Sequence, residues 1–315
     1  MSDTIKWIYL AHLGYNMWLE PTVDRLGIHG QPGWTEHISA SEHLRFDEEC
    51  WRELSAQLKD AGCNAILLDL GEGLRYESHP ELAVEGSWSK EKLGAELARL
   101  RSEGFEVFPK LNFSAAHDCW LGEYARMLST SVYYRVVEDL IHEVAELFGK
   151  PSLFHLGMDE ETAGNQRDNN YAVIRQGEQW WYDLHKMVKA AEDAGCRPWI
   201  WSDYAWDNEE DFFRHMSREI VQSNWYYGNF DPATPALGKM EFYDKLDAAG
   251  YDQIPTGSNW SVADNFSRTV AYGRTHISPQ RLLGYLQTPW QPTLHTEKVR
   301  HDQAIADLKN GVAVI

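Results

Sequence analysis

Hydrophobic and polar positions follow one recurring pattern along this chain. An amphipathic segment of helical period ends at a glycine, and a short apolar run begins one or two residues later. A glycine suits the left-handed backbone that ends many helices. The pattern occurs at Gly62, Gly104, Gly195 and Gly250, and Gly149 marks a fifth case. The sequence therefore predicts a helix–strand unit that repeats through the chain.

Eight apolar runs have the length of strands, and most are too apolar on both sides for a strand with one exposed face. The runs cover residues 7–14, 64–70, 107–113, 153–158, 198–203, 220–225, 253–260 and 282–290. Strands that alternate with helices pair in parallel through right-handed crossovers. The prediction is an α/β fold, a closed (β/α)8 TIM barrel forming a single domain over residues 1–315. A doubly wound open sheet is the alternative, but no glycine-rich phosphate loop follows the first run.

Composition narrows the classes of partner. The 315 residues are 43% hydrophobic, which is enough for a large core, and the formal net charge is −19. An acidic balance argues against binding to nucleic acid or to an anionic membrane. The beginning of the sequence does not resemble a secretion signal, and no apolar run is long enough to span a bilayer. We therefore predict a cytoplasmic location, and the oligomeric state stays open.

Aromatic and polar residues coincide where the predicted strands end. In a barrel of this kind, function lies on the loops after the carboxyl ends of the strands. Tryptophan faces beside amides and carboxylates are typical of sugar sites, although tryptophans that only pack the barrel mouth would give the same pattern. The predicted binding residues for a small carbohydrate substrate are Asp69, His117, Trp201, Asp203, Asn224, Trp225, Tyr226, Trp260 and Trp290.

Three consecutive acids, Asp159, Glu160 and Glu161, follow the fourth predicted strand. Such a run is often a solvated turn. At a strand end, however, neighbouring carboxyls can differ in proton affinity, and glycoside cleavage needs one carboxyl to protonate the leaving oxygen. We expect Glu161 to be structural. His155, inside the strand, is expected to form a buried hydrogen bond that supports the acids.

The segment His-Leu-Gly-Met-Asp-Glu at 155–160 resembles the H-x-G-[GA]-D-E signature of family 20 glycoside hydrolases, the β-N-acetylhexosaminidases. The resemblance implies that Glu160 is the general acid/base and that Asp159 orients the 2-acetamido group of the substrate, which acts as the nucleophile. His117 would correspond to the strand-three histidine of the family. Trp201, Trp225 and Trp290 would form the aromatic walls, and no cofactor is implied.

The sequence also departs from the family pattern. No arginine stands at the end of the first strand, and the strand-seven Tyr-x-Asp pattern is absent, with Asp264 or Tyr226 as possible substitutes. A carbohydrate-binding barrel without activity therefore stays open as an alternative. A metal-dependent sugar isomerase or epimerase is another, but the histidines show neither HxH nor HExxH spacing, so we expect no metal.

Overall fold

Eight parallel strands form the sheet of the computed structural model, which describes residues 5–21, 37–230 and 237–314. The strands are β1 (Lys6–His12), β2 (Ala65–Asp69), β3 (Glu106–Lys110), β4 (Leu153–His155), β5 (Arg197–Trp201), β6 (Val221–Ser223), β7 (Thr256–Gly257) and β8 (Gly284–Gln287). Their order is β6-β5-β4-β3-β2-β1-β8-β7, and every ladder is parallel. Single bridges from Gln222 to Gln253 and from Trp225 to Thr256 join the two ends. The predicted (β/α)8 barrel is confirmed.

Helices connect the strands and surround the sheet. They are α1 (Glu48–Asp60), α2 (Lys90–Ser102), α3 (Ser131–Leu147), α4 (Glu178–Asp193), α5 (Tyr204–Asp207), α6 (Glu209–His215), α7 (Leu237–Ala248), α8 (Asn265–His276) and α9 (Lys298–Ala313). Short 3-10 helices cover Gly71–Gly73, Pro80–Leu82, Cys119–Arg126 and His295–Glu297. Side-chain caps begin three of the helices, from Asp47 on α1, Ser89 on α2 and Thr130 on α3.

The glycines of the repeated junction have the predicted backbone conformation. Gly62, Gly104, Gly195 and Gly250 have φ between 84° and 90°. Each glycine follows a helix and turns the chain toward the next strand. The carboxyl ends of the parallel strands therefore all lie at one rim of the barrel.

Alternation along the strands divides the core into two layers. Ile8 and Leu10 of β1 belong to the cluster inside the barrel, whereas Tyr9 and Ala11 pack between the sheet and the helices. Successive side chains of a strand point to opposite faces, so both faces of these strands are apolar. At the carboxyl ends of the strands the inner cluster ends in Trp201 and Trp290, which form the floor of the cavity described below.

Candidate active site

A cavity of about 800 Å³ opens at the carboxyl ends of the strands. Its volume lies within the range of about 300–1,000 Å³ typical of small-molecule sites. Of the residues predicted from the sequence, its walls contain Asp159, Glu160, His117, Trp201, Trp225, Tyr226, Trp260 and Trp290. The last residue of β5 and the loops after β3, β4, β6, β7 and β8 therefore deliver residues to one site, as the barrel architecture requires.

Asp159 and Glu160 share one histidine. The Nε2 atom of His117 lies 3.2 Å from Oε2 of Glu160 and 3.5 Å from Oδ2 of Asp159. Asn112 Nδ2 donates a hydrogen bond of 3.1 Å to the other carboxylate oxygen of Asp159, and Ser114 Oγ donates to the Asp159 carbonyl. Both acids are thus held in fixed orientations on the cavity wall.

The close contacts among His117, Asp159 and Glu160 shift the pKa values of these three side chains by different amounts and in different directions. Burial alone would lower the pKa of His117, but the negative charges of Asp159 and Glu160 outweigh it and raise that pKa to about 9. Burial would raise the pKa of Glu160, but the hydrogen bond and charge of His117 lower it below its usual range. Burial raises the pKa of Asp159, and the neighbouring charge of Glu160 adds to that effect. The imidazole is therefore protonated at neutral pH.

The backbone around the acids is strained. Gly157, Met158 and Glu160 have φ values of 77°, 75° and 55°. Non-glycine residues rarely adopt this region, and such conformations persist at functional sites when the surroundings hold them. His155 Nδ1 accepts a hydrogen bond from Gly157 N at 3.0 Å, which is the buried hydrogen bond expected of this histidine.

Asp203 lies behind the acids rather than on the cavity wall. Its Oδ2 accepts a 2.7 Å hydrogen bond from Glu160 N, and its Oδ1 accepts one of 3.3 Å from Trp225 Nε1. Burial, with the charge of Asp159, raises the pKa of Asp203 to about 7. The sequence predicts a substrate ligand at this position, but Asp203 instead holds the left-handed backbone of Glu160.

Two further predicted binding residues do not line the cavity. Asp69 is buried inside the barrel, where Lys110 Nζ lies 2.6 Å from its Oδ2 and His12 Nδ1 lies 3.3 Å away. Asn224 accepts from Trp206 Nε1 at 2.9 Å and donates to a backbone carbonyl of α7 at 2.8 Å. Both side chains are used in internal contacts, and the prediction that they bind substrate directly is corrected.

Glu161 is structural, as expected. It forms a buried ion pair with Arg175, and its Oε1 also accepts a 2.9 Å hydrogen bond from Ala115 N. Arg175 also lies 3.3 Å from Asp183 of α4. The third acid of the run therefore ties the β4 loop to the helix that follows it.

Aromatic side chains form the floor of the cavity and one of its sides. Trp201 and Trp290 lie 6.0 Å apart between ring centroids, and Trp18 lies 6.2 Å from Trp290. On the side wall, Trp225 stacks on Tyr227 at 4.9 Å and lies 5.2 Å from the ammonium group of Lys239. The face of Trp225 is therefore already in contact with protein groups.

Several cavity residues were not predicted as substrate ligands. Tyr227 OH lies 3.1 Å from Trp290 Nε1, and Lys239 and Arg167 contribute positive charge to the walls. Tyr227 follows directly after Trp225 and Tyr226, so the aromatic run at 225–227 was its only sequence signal. Tyr226 points its hydroxyl to the Asn229 carbonyl, and Asp264 pairs with Arg268 outside the cavity.

No described residue repeats the arginine that the family places at the end of the first strand. Arg45, from the segment before α1, reaches the same region, but its guanidinium donates to the carbonyls of His37, Ser39 and Tyr15. In the described ranges there is also no group of three or more His, Cys, Asp or Glu side chains arranged to hold a metal ion. Among the same residues, no helix is long and apolar enough to cross a membrane.

The raised pKa of His117 predicts a pH dependence of stability. The folded protein binds this proton more tightly than the unfolded chain, whose histidines titrate near 6.5. The stabilisation is therefore fully present below about pH 6.5 and is lost as the pH rises through about 9. We expect the free energy of unfolding to fall by about 3 kcal/mol over this interval. Urea unfolding at pH 6 and pH 9.5 measures it, and His117→Gln should remove the fall. Parallel pH dependences in the two proteins would contradict the assignment.

The fold and the site together define a class: an α/β barrel whose acidic, aromatic-lined cavity lies at the carboxyl ends of the strands. Solved structures with this architecture include glycoside hydrolases of more than one family. A β-N-acetylhexosaminidase from Bacteroides fragilis matches with a TM-score of 0.64 and 12% identity, over 96% of this chain and 65% of that one. The family 20 chitobiase of Flavobacterium johnsoniae matches with a TM-score of 0.60 and 15% identity, over 92% and 47%.

A family 138 enzyme that targets the pectin rhamnogalacturonan II is similar at a TM-score of 0.59 and 12% identity, over 99% of this chain and 39% of that one. No protein-family model matches the sequence, and no curated protein matches it. The chain spans about half to two-thirds of the length of the first two structures. At these identities the similarity establishes the fold, and the resemblance to family 20 enzymes is confirmed at that level.

Proposed function

We propose that the chain is a glycoside hydrolase that removes a terminal β-linked N-acetylhexosamine, or a related sugar, from a small carbohydrate substrate. One observation carries the proposal: Asp159 and Glu160, the acids of the HxGxDE segment, both lie within 3.5 Å of one nitrogen of His117 on the wall of the cavity. Two adjacent carboxyls with different proton affinities are what acid-assisted glycoside cleavage uses.

Asp159 is suited to orient an acetamido group. Asn112 fixes one carboxylate oxygen, and the other oxygen lies beside His117. A carboxylate held in this way accepts a hydrogen bond from the acetamido N–H and increases the negative charge on the acetamido carbonyl oxygen. That oxygen then attacks the anomeric carbon in place of an enzyme nucleophile, and the product retains the configuration of the substrate.

Glu160 is suited to deliver a proton that His117 supplies. In the free protein the carboxyl is ionised and the imidazole is protonated, with 3.2 Å between them. When the glycosidic bond lengthens, the proton passes from His117 through Glu160 to the leaving oxygen. Glu160 then serves as the base that activates water in the second step.

The walls provide the remaining contacts. Trp201 and Trp290 offer apolar faces for the sugar ring and the acetamido methyl group. Tyr227 carries a hydroxyl in the cavity wall and accounts for the missing strand-seven pattern, because it can donate to the acetamido oxygen. It takes the place that the sequence had suggested for Tyr226 or Asp264.

The test is release of 4-nitrophenol from a panel of 4-nitrophenyl glycosides by the wild-type protein. We expect turnover of the β-N-acetylglucosaminide or the β-N-acetylgalactosaminide, unaffected by EDTA. Turnover only of sugars that lack the acetamido group would keep a glycosidase and reject acetamide participation. No turnover of any member, with retained binding of the free sugars, would favour the carbohydrate-binding alternative.

A further inference from the structure

Trp290 has a strained backbone at the floor of the cavity. Its φ is 49°, in the left-handed region that residues with a bulky side chain rarely adopt, and its side chain lines the cavity. Such a conformation persists only where the surrounding structure holds it. The groups that bind the backbone of Trp290 therefore decide where its indole ring lies.

The hydroxyl of Tyr15 holds this backbone. It donates a hydrogen bond of 2.8 Å to the carbonyl oxygen of Trp290, and the Tyr15 ring is buried in the same inner cluster. Burial raises the pKa of Tyr15, so the hydroxyl keeps its proton and stays a donor. The loop after β1 is thereby tied to the loop after β8, which carries Trp290.

Two side chains from neighbouring segments hold Tyr15 in turn. Oε1 of Glu72, in the loop after β2, accepts a 2.8 Å hydrogen bond from Tyr15 N. Arg45 donates a 3.2 Å hydrogen bond to the Tyr15 carbonyl, and its guanidinium lies 5.3 Å from the centre of the Tyr15 ring. Both backbone polar groups and the ring are thus in contact with other segments, so Tyr15 has little freedom to move away from Trp290.

The indole ring of Trp290 contacts a second residue of the cavity wall. Trp290 Nε1 donates to the hydroxyl oxygen of Tyr227 at 3.1 Å, and Thr288 Oγ1 lies farther from the same oxygen, at 3.4 Å. Because the oxygen accepts the indole proton, its own proton can be directed to a ligand in the cavity, which Trp290 and Tyr227 both line. The direction of the Tyr227 hydroxyl therefore depends on the position of the indole ring.

We propose that Tyr15 is a positioning residue, which acts through Trp290 to aim the hydroxyl of Tyr227 at the substrate. The inference rests on the proposed function for its effect on turnover, since there Tyr227 donates to the acetamido oxygen. The hydroxyl of Tyr15 itself is used at the Trp290 carbonyl. The loop after the first strand thus serves the site without the arginine that the family places there.

Tyr15→Phe tests the proposal, because it removes the hydroxyl and keeps the ring. Tyr251→Phe is the matched control: this buried tyrosine donates a 2.9 Å hydrogen bond to the carbonyl of Met216, which has an ordinary φ of −69° and does not line the cavity. With the best 4-nitrophenyl N-acetyl-β-hexosaminide, we expect Tyr15→Phe to lower kcat/KM about fivefold, as the loss of one hydrogen bond would. Tyr251→Phe should leave kcat/KM unchanged.

A double-mutant cycle with Tyr227→Phe distinguishes positioning from a general structural role. If Tyr15 acts on the hydroxyl of Tyr227, Tyr15→Phe should lower kcat/KM by less than about twofold once that hydroxyl is absent. The same loss with and without the Tyr227 hydroxyl would overturn the proposal. So would a Tyr15→Phe variant with the kcat/KM of the wild type.

Hydrogen exchange of the Trp290 indole N–H separates this proposal from the proposed function. In spectra of the ¹⁵N-labelled protein, Trp290→Phe identifies the signal among those of the 14 tryptophans. We expect Tyr15→Phe to speed this exchange about fivefold, because the hydrogen bond to Tyr227 opens more often, and Tyr251→Phe to leave it unchanged.

If no glycoside is cleaved, the proposed hydrolysis fails. Faster exchange in Tyr15→Phe alone would then still support the positioning of Trp290 and Tyr227 by Tyr15. Equal exchange rates in the wild type and both variants, or equal acceleration in both variants, would overturn it.

Discussion

Glu160→Gln is expected to lower kcat by about 10²–10⁴-fold, because glutamine cannot pass a proton to the leaving oxygen. The folded protein should lose only about 1 kcal/mol or less of its unfolding free energy, since glutamine keeps an oxygen that can accept from His117 at the same place. Initial rates with the best 4-nitrophenyl glycoside give the loss of turnover, and urea unfolding gives the stability.

The neighbouring acid provides the control. Glu161→Gln removes one of the two carboxylates that pair with the buried Arg175 and leaves Asp183 as the other, so we expect the unfolding free energy to fall by about 1.5–3 kcal/mol. Activity per folded molecule should stay close to that of the wild type, because Glu161 does not line the cavity. If Glu160→Gln keeps its activity, or if Glu161→Gln loses turnover without loss of stability, the roles of the two acids are wrongly assigned.

Gly157→Ala is expected to have the largest effect on the fold of the site. A methyl group at this position would overlap the side chain of Asn112, lying 2.6 Å from its Cγ and 2.9 Å from its Cα. The φ of 77° adds strain for any side chain. Asn112 cannot move freely because it holds Asp159, so the substitution should reduce the unfolding free energy by about 3–5 kcal/mol and abolish turnover.

Gly149→Ala separates the effect of backbone strain from the effect of steric overlap with Asn112. Gly149 has a φ of 68°, but no atom lies within 4 Å of a Cβ placed there, so only the backbone strain of about 1–3 kcal/mol applies. Turnover should be unchanged in that variant. Thermal and urea unfolding of both variants check the difference. Equal stability losses in Gly149→Ala and Gly157→Ala would contradict the close packing of Gly157 on Asn112.

The barrel could be predicted because its signals are local. Each glycine of the junction has to adopt a left-handed conformation, and each strand has to be apolar on both faces, and both requirements are visible in a single stretch of sequence. The strands are shorter than the apolar runs. The run at 253–260 contains only Thr256–Gly257 as strand, because the loop after it bends away to form the cavity wall.

The position of each rim residue relative to the cavity was less predictable, because it depends on strand register. Asp69 is the last residue of β2, and the register between β2 and β3 places it directly opposite Lys110. A lysine within the apolar run 107–113 was a signal that some buried acid would pair with it. Without the register the partner of this lysine cannot be identified from the sequence, and Asp69 has the same sequence pattern as a sugar ligand.

The aromatic residues illustrate the same limit. Their positions at strand ends predict Trp201 and Trp290 as binding residues, the family resemblance implies that they form walls, and both lie in the cavity. Tyr226 and Tyr227 are adjacent, and only the bend of the loop after β6 decides that the hydroxyl of Tyr227 meets Trp290 while that of Tyr226 meets a backbone carbonyl. The cytoplasmic location and the absence of a metal stay predictions.

The first-formed product anomer tests the central claim most directly. Proton NMR spectra recorded in the first minutes of hydrolysis of a 4-nitrophenyl N-acetyl-β-hexosaminide distinguish the β-anomer from the α-anomer before the two equilibrate. Attack by the acetamido oxygen that Asp159 orients predicts that the wild-type protein releases the β-anomer first. In Asp159→Asn we expect the rate of hydrolysis to be strongly reduced. Release of the α-anomer first would mean that water attacks the anomeric carbon directly, and it would contradict the roles given to both Asp159 and Glu160.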